Sequence, residues 1–235
     1  MHLLKKKPDM IRSGKALAAW VCCLFGAMAC VTTPTEQHPR LTPDQVLQKR
    51  LAEQLAIVAS DSAARQQLNQ AMKFRTRLCQ RCHGADGHSR NGRCPNLAGQ
   101  NPGYLLQQLQ HFHDGRRQDF QMQSMVRHIS DADKIAVSIY FSSMPPRPAS
   151  TEENDQTAEG KRLFRIRCAQ CHGAQGQGLY TYPRLAGQLP EYIRTTLHEF
   201  RKPDSRRRTS IMREIASILS EREINALAAY ISTME

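Results

Sequence analysis

Aromatic side chains are scarce in this chain of 235 residues: one Trp, six Tyr and seven Phe. Large rings alone cannot fill a core for a chain of this length, which leaves room for another apolar body to complete it. No sustained period-two alternation and no hairpin turn signal occurs, which argues against sheets and for helices. The apolar run "ALAAWVCCLFGAMA" at 16–29 is too short to span a bilayer comfortably. Acidic residues are also few, with 21 Asp plus Glu against 33 Lys plus Arg, a formal charge of +12.

Part of that charge lies in a segment with the organisation of an export signal. "MHLLKKKPDMIRSGK" is a basic leader, the apolar run follows, and Ala27-Met28-Ala29 is a small-x-small cleavage site. Residues 1–29 are therefore expected to be a signal peptide, and an oxidising compartment follows from it. Its removal leaves 28 basic and 20 acidic residues, or +8. Cys30 stands directly after the cut. "FGAMAC" resembles a bacterial lipobox, with Ala27 where Leu is usual, and an ordinary signal-peptidase cut fits the same bond. The expected location is the bacterial periplasm, either soluble or lipid-anchored through Cys30.

The chain repeats itself. "RLCQRCHGADG" (77–87) returns as "IRCAQCHGAQG" (166–176), and "PNLAGQNPGYL" (95–105) as "PRLAGQLPEYI" (183–193). "LQHFHDGRR" returns as "LHEFRKPDSRR", and "ISDADKIAVSIYFSSM" as "LSEREINALAAYISTM". The offset stays between 88 and 90, so two copies of one unit of about eighty residues follow each other. The joint, "MPPRPASTEENDQTAEG" at 144–160, has linker composition. Within 41–70, Leu47, Leu51, Leu55 and Val58 fall at helical spacing, and Thr42-Pro43-Asp44 is a helix start. That stretch has no counterpart in the second copy and is read as a helical extension on the first. Ser130 and Ser220 open the last helix of each copy, and Ile224, Leu227, Ala228 and Ile231 mark a buried stripe. The expected divisions are 1–29 signal, 30–70 extension, 71–148 first domain and 149–235 second domain. The expected class is all-α.

Cys79-x-x-Cys82-His83 and Cys168-x-x-Cys171-His172 carry the chemistry. On one helical turn, cysteines three apart share a face and can form thioethers with haem vinyls, and the adjacent histidine presents its ring to the iron. Zinc would need a second ligand pair, which neither copy offers. A thioredoxin-type dithiol would need a βαβ context. Two such pentapeptides in matching repeats of an exported chain point to two covalently bound haem c groups.

The sixth ligand is sought in each copy. Met122 and Met212 stand eight residues before Ser130 and Ser220, and 39 and 40 residues after His83 and His172. A thioether there closes the iron's coordination shell. Met125 and His128 are rivals whose counterparts, Ile215 and Ile218, cannot ligate. A ligating imidazole needs an acceptor for its other N–H, and a backbone carbonyl at Pro95 and Pro183 would serve. His38, His88 and His198 are read as surface residues, while His111 and His113 carry no assignment. Cys94 falls where the second copy has Tyr182, and is read as a free thiol or a disulfide partner.

Two Cys-x-x-Cys-His units, each followed by "LAGQ", an aromatic-containing helix, a methionine and "ISD" or "LSE", resemble the dihaem cytochrome c4 family over roughly 71–235. The resemblance implies two tandem class I cytochrome c domains related by a pseudo-twofold axis. It implies His83 and Met122 on one iron, His172 and Met212 on the other, and Pro95 and Pro183 as the carbonyl sources. The 41–70 extension departs from that pattern.

The function expected is a periplasmic dihaem electron carrier between respiratory-chain components and a terminal oxidase or reductase. The alternative is the electron-accepting subunit of a periplasmic dehydrogenase, such as a sulfur-oxidising flavoprotein. No catalytic residue is assigned, since two matching methionines argue against a dihaem peroxidase, and no nucleic-acid motif is present. The basic charge fits acidic docking surfaces on redox partners, with "GRR" (115–117) and "RRR" (206–208) as contact points, or anionic lipid if Cys30 is acylated.

Overall fold

The computed structural model describes residues 41–207 and 210–235. The signal and Cys30 lie outside that range. The described residues are helical, with two isolated bridges and no strand. The first half contains α1 (Pro43–Ser60), α2 (Ser62–Arg75), α3 (Arg77–His83), α4 (Pro102–His113), α5 (Phe120–Val126) and α6 (Asp131–Ser142). The second contains α7 (Asp155–Arg167), α8 (Ala169–His172), α9 (Pro190–Arg201), α10 (Met212–Ser217) and α11 (Glu221–Thr233).

In each half a helix near the start packs on the last helix. In the second half α7 lies along α11, and Gly160 sets their approach. A Cβ at Gly160 would collide with the Ala226 carbonyl and crowd Tyr230. Phe164 stacks edge-on against Tyr230, with ring centroids 5.7 Å apart. Leu163, Ile193, Leu197, Phe200, Ile224, Leu227 and Ile231 complete the core. Ser220 caps α11 by a reciprocal bond pair with Glu223.

In the first half α2 takes the position of α7 and packs on α6. The division expected at 70/71 lies within α2, and α1 is the helix without a counterpart in the second half. The match was hidden because α2 has no glycine and bends at Thr76, whereas the break in the second copy comes at Cys168. The linker also shrinks. Asp155–Gly160 form the start of α7, since Asn154 caps the helix with Thr157 and Asp155 suits its positive end. The remaining joint is pinned, with Ala149 and Ser150 N–H both donating to Ser232 O at 2.9 and 3.0 Å.

α1 starts on a capping box between Thr42 and Gln45, with Pro43 in its first turn. It buries Leu47, Leu51 and Val58 against Leu106, Ile135 and Ile139. This apolar face packs on α4 and α6 and closes a side of the first half that has no covering helix in the second.

Candidate haem-binding sites and the seam between the halves

His83 ends α3 and His172 ends α8, and each is followed by a glycine of left-handed conformation, Gly84 (φ 83°) and Gly173 (φ 82°). That conformation is cheap only for glycine. It turns the chain back so that the proline carbonyl meets the ring. His83 Nδ1 lies 2.9 Å from Pro95 O, and His172 Nδ1 lies 2.9 Å from Pro183 O. A carbonyl only accepts, so Nδ1 carries the proton and the Nε2 lone pair is left for a metal. Both rings are buried, and burial pushes their pKa below the usual histidine value, which keeps them neutral.

In each half the first cysteine of the motif is half-buried and the second exposed. Burial pushes the Cys79 thiol up, and the Cys168 thiol up to about 11. Met122 lies in the first turn of α5, where its N–H donates to the capping Asp119 carboxylate at 3.0 Å. Met212 opens α10 and packs against the second core, as Cys168 and Leu185 also do. Large apolar side chains stand exposed next to these residues: Leu78 and Phe120 in the first half, Ile166 and Ile211 in the second. A flat apolar macrocycle fits between such flanks. Met125 is half-buried and His128 exposed.

The repeated "LAGQ" has a role that the motif reading missed. Gln188 accepts from Asn96 N–H at 2.8 Å and donates to Asn96 O at 3.1 Å. Gln100 accepts from Arg184 N–H at 2.7 Å and donates to Arg184 O at 2.8 Å. Each glutamine thus caps the peptide of the other half at the residue after its histidine-binding proline. Two copies of one bond pair, exchanged between halves, are what a pseudo-twofold seam produces. The available signal was a polar residue repeated in register without a metal role.

The described arginines of the two basic stretches are engaged within the chain, which leaves them less free to dock than the sequence suggests. Arg116 pairs with Asp44 of α1 at 2.8 Å and with Asp114. Arg206 is held by Glu199, and Gln118 N–H donates to Arg206 O at 2.9 Å. Arg117 and Arg207 bridge through their backbones and are half-buried in the seam. Both guanidiniums donate to the Tyr192 hydroxyl, at 3.2 and 2.9 Å. Burial raises the Tyr192 pKa, but Arg207 and Arg117 outweigh it and bring the phenol down to about 7. Among the described residues, neither guanidinium meets a carboxylate in an ion pair. Two half-buried cations sharing one phenol leave a surplus of positive charge that suits an acidic ligand group. The side-chain carboxylates of haem are such groups.

His88 is buried rather than superficial. It lines a small cavity of the seam with Arg147, Arg184 and Gln188, and Asp86 holds its loop. His198 is half-buried and lies 3.3 Å from Glu221. Cys94 is a half-buried thiol with no disulfide to any described residue. Burial pushes its thiol pKa up, whereas its counterpart Tyr182 sits edge-on to His172 at 6.4 Å.

The family model for cytochrome c matches residues 157–235. The helical fold and the histidine–carbonyl pairs thus belong to a c-type cytochrome of class I architecture, present twice. Cytochrome c4 of Pseudomonas aeruginosa PAO1 is 34% identical over 189 residues, covering 75% of this chain and 90% of the relative. The crystal structure of reduced recombinant cytochrome c4 from Pseudomonas stutzeri matches with a TM-score of 0.64 at 31% identity, covering 71% of this chain and 98% of that one. A thiosulfate dehydrogenase electron acceptor of Stutzerimonas stutzeri A1501 is 32% identical over 171 residues, covering 66% of this chain and 78% of the relative. This chain belongs to the cytochrome c4 family. It is a dihaem electron-transfer cytochrome with two covalently bound haem c groups.

Proposed function

We propose that the protein carries electrons singly in the bacterial periplasm, between respiratory-chain components and a terminal oxidase or reductase, and is not itself an enzyme. The supporting observation is that both halves hold a buried histidine in one orientation, Nδ1 on a proline carbonyl and Nε2 free, beside a cysteine pair. Haem iron, once bound, exchanges one electron at each site. The chain's part is attachment, orientation and exclusion of other ligands. Cys79, Cys82, Cys168 and Cys171 would hold the macrocycles by thioethers. His83 and His172 would ligate one side of each iron, and Met122 and Met212 the other. With both positions filled by protein, substrates have no open iron to reach. Arg117 and Arg207 would hold the haem carboxylates in the seam.

The domains we assign are 62–148 and 149–235, with α1 as the extension. Residues 1–29 direct export, and Cys30 is the candidate anchor. Among the described residues no helix is long and apolar enough to cross a membrane.

A second reading has support from the similarity to a thiosulfate dehydrogenase electron acceptor. The same carrier would then take electrons from a periplasmic dehydrogenase. One experiment tests the shared core. The protein is expressed with c-type maturation machinery, haem is quantified, and the oxidised spectrum is recorded into the red. Two haems per chain with a full-strength iron–methionine band are expected. A high-spin fraction would mean that Met122 or Met212 is not the ligand.

A further inference from the structure

The two haem-attachment edges carry different charge. Between Gln80 and Cys94 the first half has Arg81, Arg90 and Arg93, with Asp86 the single acid. The matching stretch of the second half, 169–182, has no charged residue, and Gln170, Leu179 and Thr181 stand in place of the three arginines. All three arginines are exposed. They lie in and just after the attachment motif in the sequence. Arg81 is the neighbour of Cys82 on α3. Ser89 Oγ donates to Cys82 O at 2.7 Å, and Ser89 N–H donates to Asn96 Oδ1 at 2.9 Å, so the loop bearing Arg90 is built onto the motif. Arg93 N–H donates to Asn91 Oδ1 at 3.0 Å, and Cys94 N–H to Asn91 O at 2.9 Å, which fixes the far end of the loop.

The surrounding acids are engaged elsewhere. Asp86 pairs with Arg147 at 3.0 Å, Glu191 beside Gly92 pairs with Arg194 at 3.0 Å, and Asp119 caps α5. Among the described residues no carboxylate pairs with Arg81, Arg90 or Arg93. This contrasts with the described arginines of the other two basic stretches, which are held by a carboxylate or by the Tyr192 hydroxyl. Three guanidiniums without a carboxylate partner, one on α3 and two on the ordered loop after it, are suited to forked bonds with carboxylates.

We infer that the edge of the first half formed by Arg81, Arg90 and Arg93 is the docking face for the acidic surface of a redox partner protein, and that the second half's edge is not. The inference rests on the electron-carrier reading above. A partner protein is favoured over a lipid surface because the charge is gathered where the first haem is attached, where electron exchange with a partner would gain from close approach. Electrons would then cross the protein boundary at the first half.

The holoprotein tests this with small charged probes. Arg81→Gln, Arg90→Leu and Arg93→Thr together give the first edge the residues of the second. Oxidation and reduction are followed by stopped flow with hexacyanoferrate as the anion and hexaammineruthenium as the cation. Electrostatic steering predicts that the anion's rate constant falls about tenfold at low salt, while the cation's rises, and that both differences shrink at high salt. Arg90→Leu with Arg93→Thr leaves the attachment motif untouched, and should retain most of the effect if the triple variant loads haem poorly. Arg162→Gln with Arg165→Gln on the second half is the control and should change the anion's rate less than twofold. Equal losses in the control, or an unchanged anion rate in the triple variant, would overturn the docking face. Flotation with phosphatidylglycerol vesicles that depends on the three arginines, while probe rates do not, would assign the patch to a lipid surface instead. Fewer than two haems in the wild type would be a failure of the carrier reading, visible before any rate is measured.

Discussion

The two halves solve one packing problem differently. In the second half the terminal helices close directly on each other, because Gly160 lets the Ala226 backbone into contact. α2 has no glycine, and the first half instead recruits α1 to cover α4 and α6. The loop leading into the seam shows the same substitution. Glu199 holds Arg206 from within the second half, whereas Asp44 of the added helix helps to hold Arg116 in the first. An element absent from one repeat thus supplies apolar cover and a second carboxylate beside Asp114, where the other repeat relies on its own residues.

The largest expected effect separates the halves most clearly. Gly160→Val should destabilise the second half by about 3 kcal/mol, since the helix backbones cannot part without losing the core. Ala71→Gly in α2 should gain no comparable closure and cost only about 1 kcal/mol of helix propensity. Chemical unfolding of the holoprotein, read at the haem absorption, checks both. A similar loss from both substitutions would mean that the halves close alike.

Acid should next expose the different anchors. Burial raises the Glu199 pKa, but the Arg206 N–H and side chain, with Lys202, outweigh it and bring the carboxyl from 4.5 to about 2. A depressed carboxylate stabilises the fold fully above its unfolded pKa, and that stability drains as pH falls from 4.5 towards 2. The loss is on the order of 3 kcal/mol. Glu199→Gln should lower stability at neutral pH and flatten the acid dependence of the second half. An unchanged acid midpoint in this variant would refute the anchor.

The seam should respond symmetrically where the ends do not. Gln188→Ala orphans the N–H and C=O of buried Asn96, and Gln100→Ala does the same at Arg184. Each should cost about 2 kcal/mol. Potentiometric titration would show the same change in haem–haem coupling for both variants. A large difference between them would break the pseudo-twofold account of the seam.

What could be read from the sequence follows from what repeats. The Cys-x-x-Cys-His motifs and the buried stripe of α11 are local patterns at fixed spacing, and helices with caps at Ser130 and Ser220 formed where the spacing placed them. The prolines lie 12 and 11 residues after the histidines, and the glycine turns bring their carbonyls back. The start of the first repeat was not legible, because the bend at Thr76 shifts the register and no glycine marks α2. Nor was the meeting of Arg117 and Arg207 at Tyr192. A double arginine reads as surface until the opposite half is in place, and only the partner loop shows that both lie in the seam.

The smallest effect concerns α1 itself. Asp44 and Arg116 are partly exposed, with side-chain accessibilities of 42% and 35%, and Arg116 retains Asp114 when Asp44 is lost. Asp44→Asn should therefore cost less than about 1 kcal/mol, and the cost should vanish at high salt. Leu51→Ala on the buried face of the same helix should cost about 3 kcal/mol whatever the salt, as burial and not charge holds the helix. Unfolding midpoints of the two variants at low and high salt separate these contributions. If Asp44→Asn matched Leu51→Ala at high salt, α1 would be held by its charged end. The first half would then resemble the second, with its seam loop anchored by a carboxylate as strongly as Glu199 anchors Arg206.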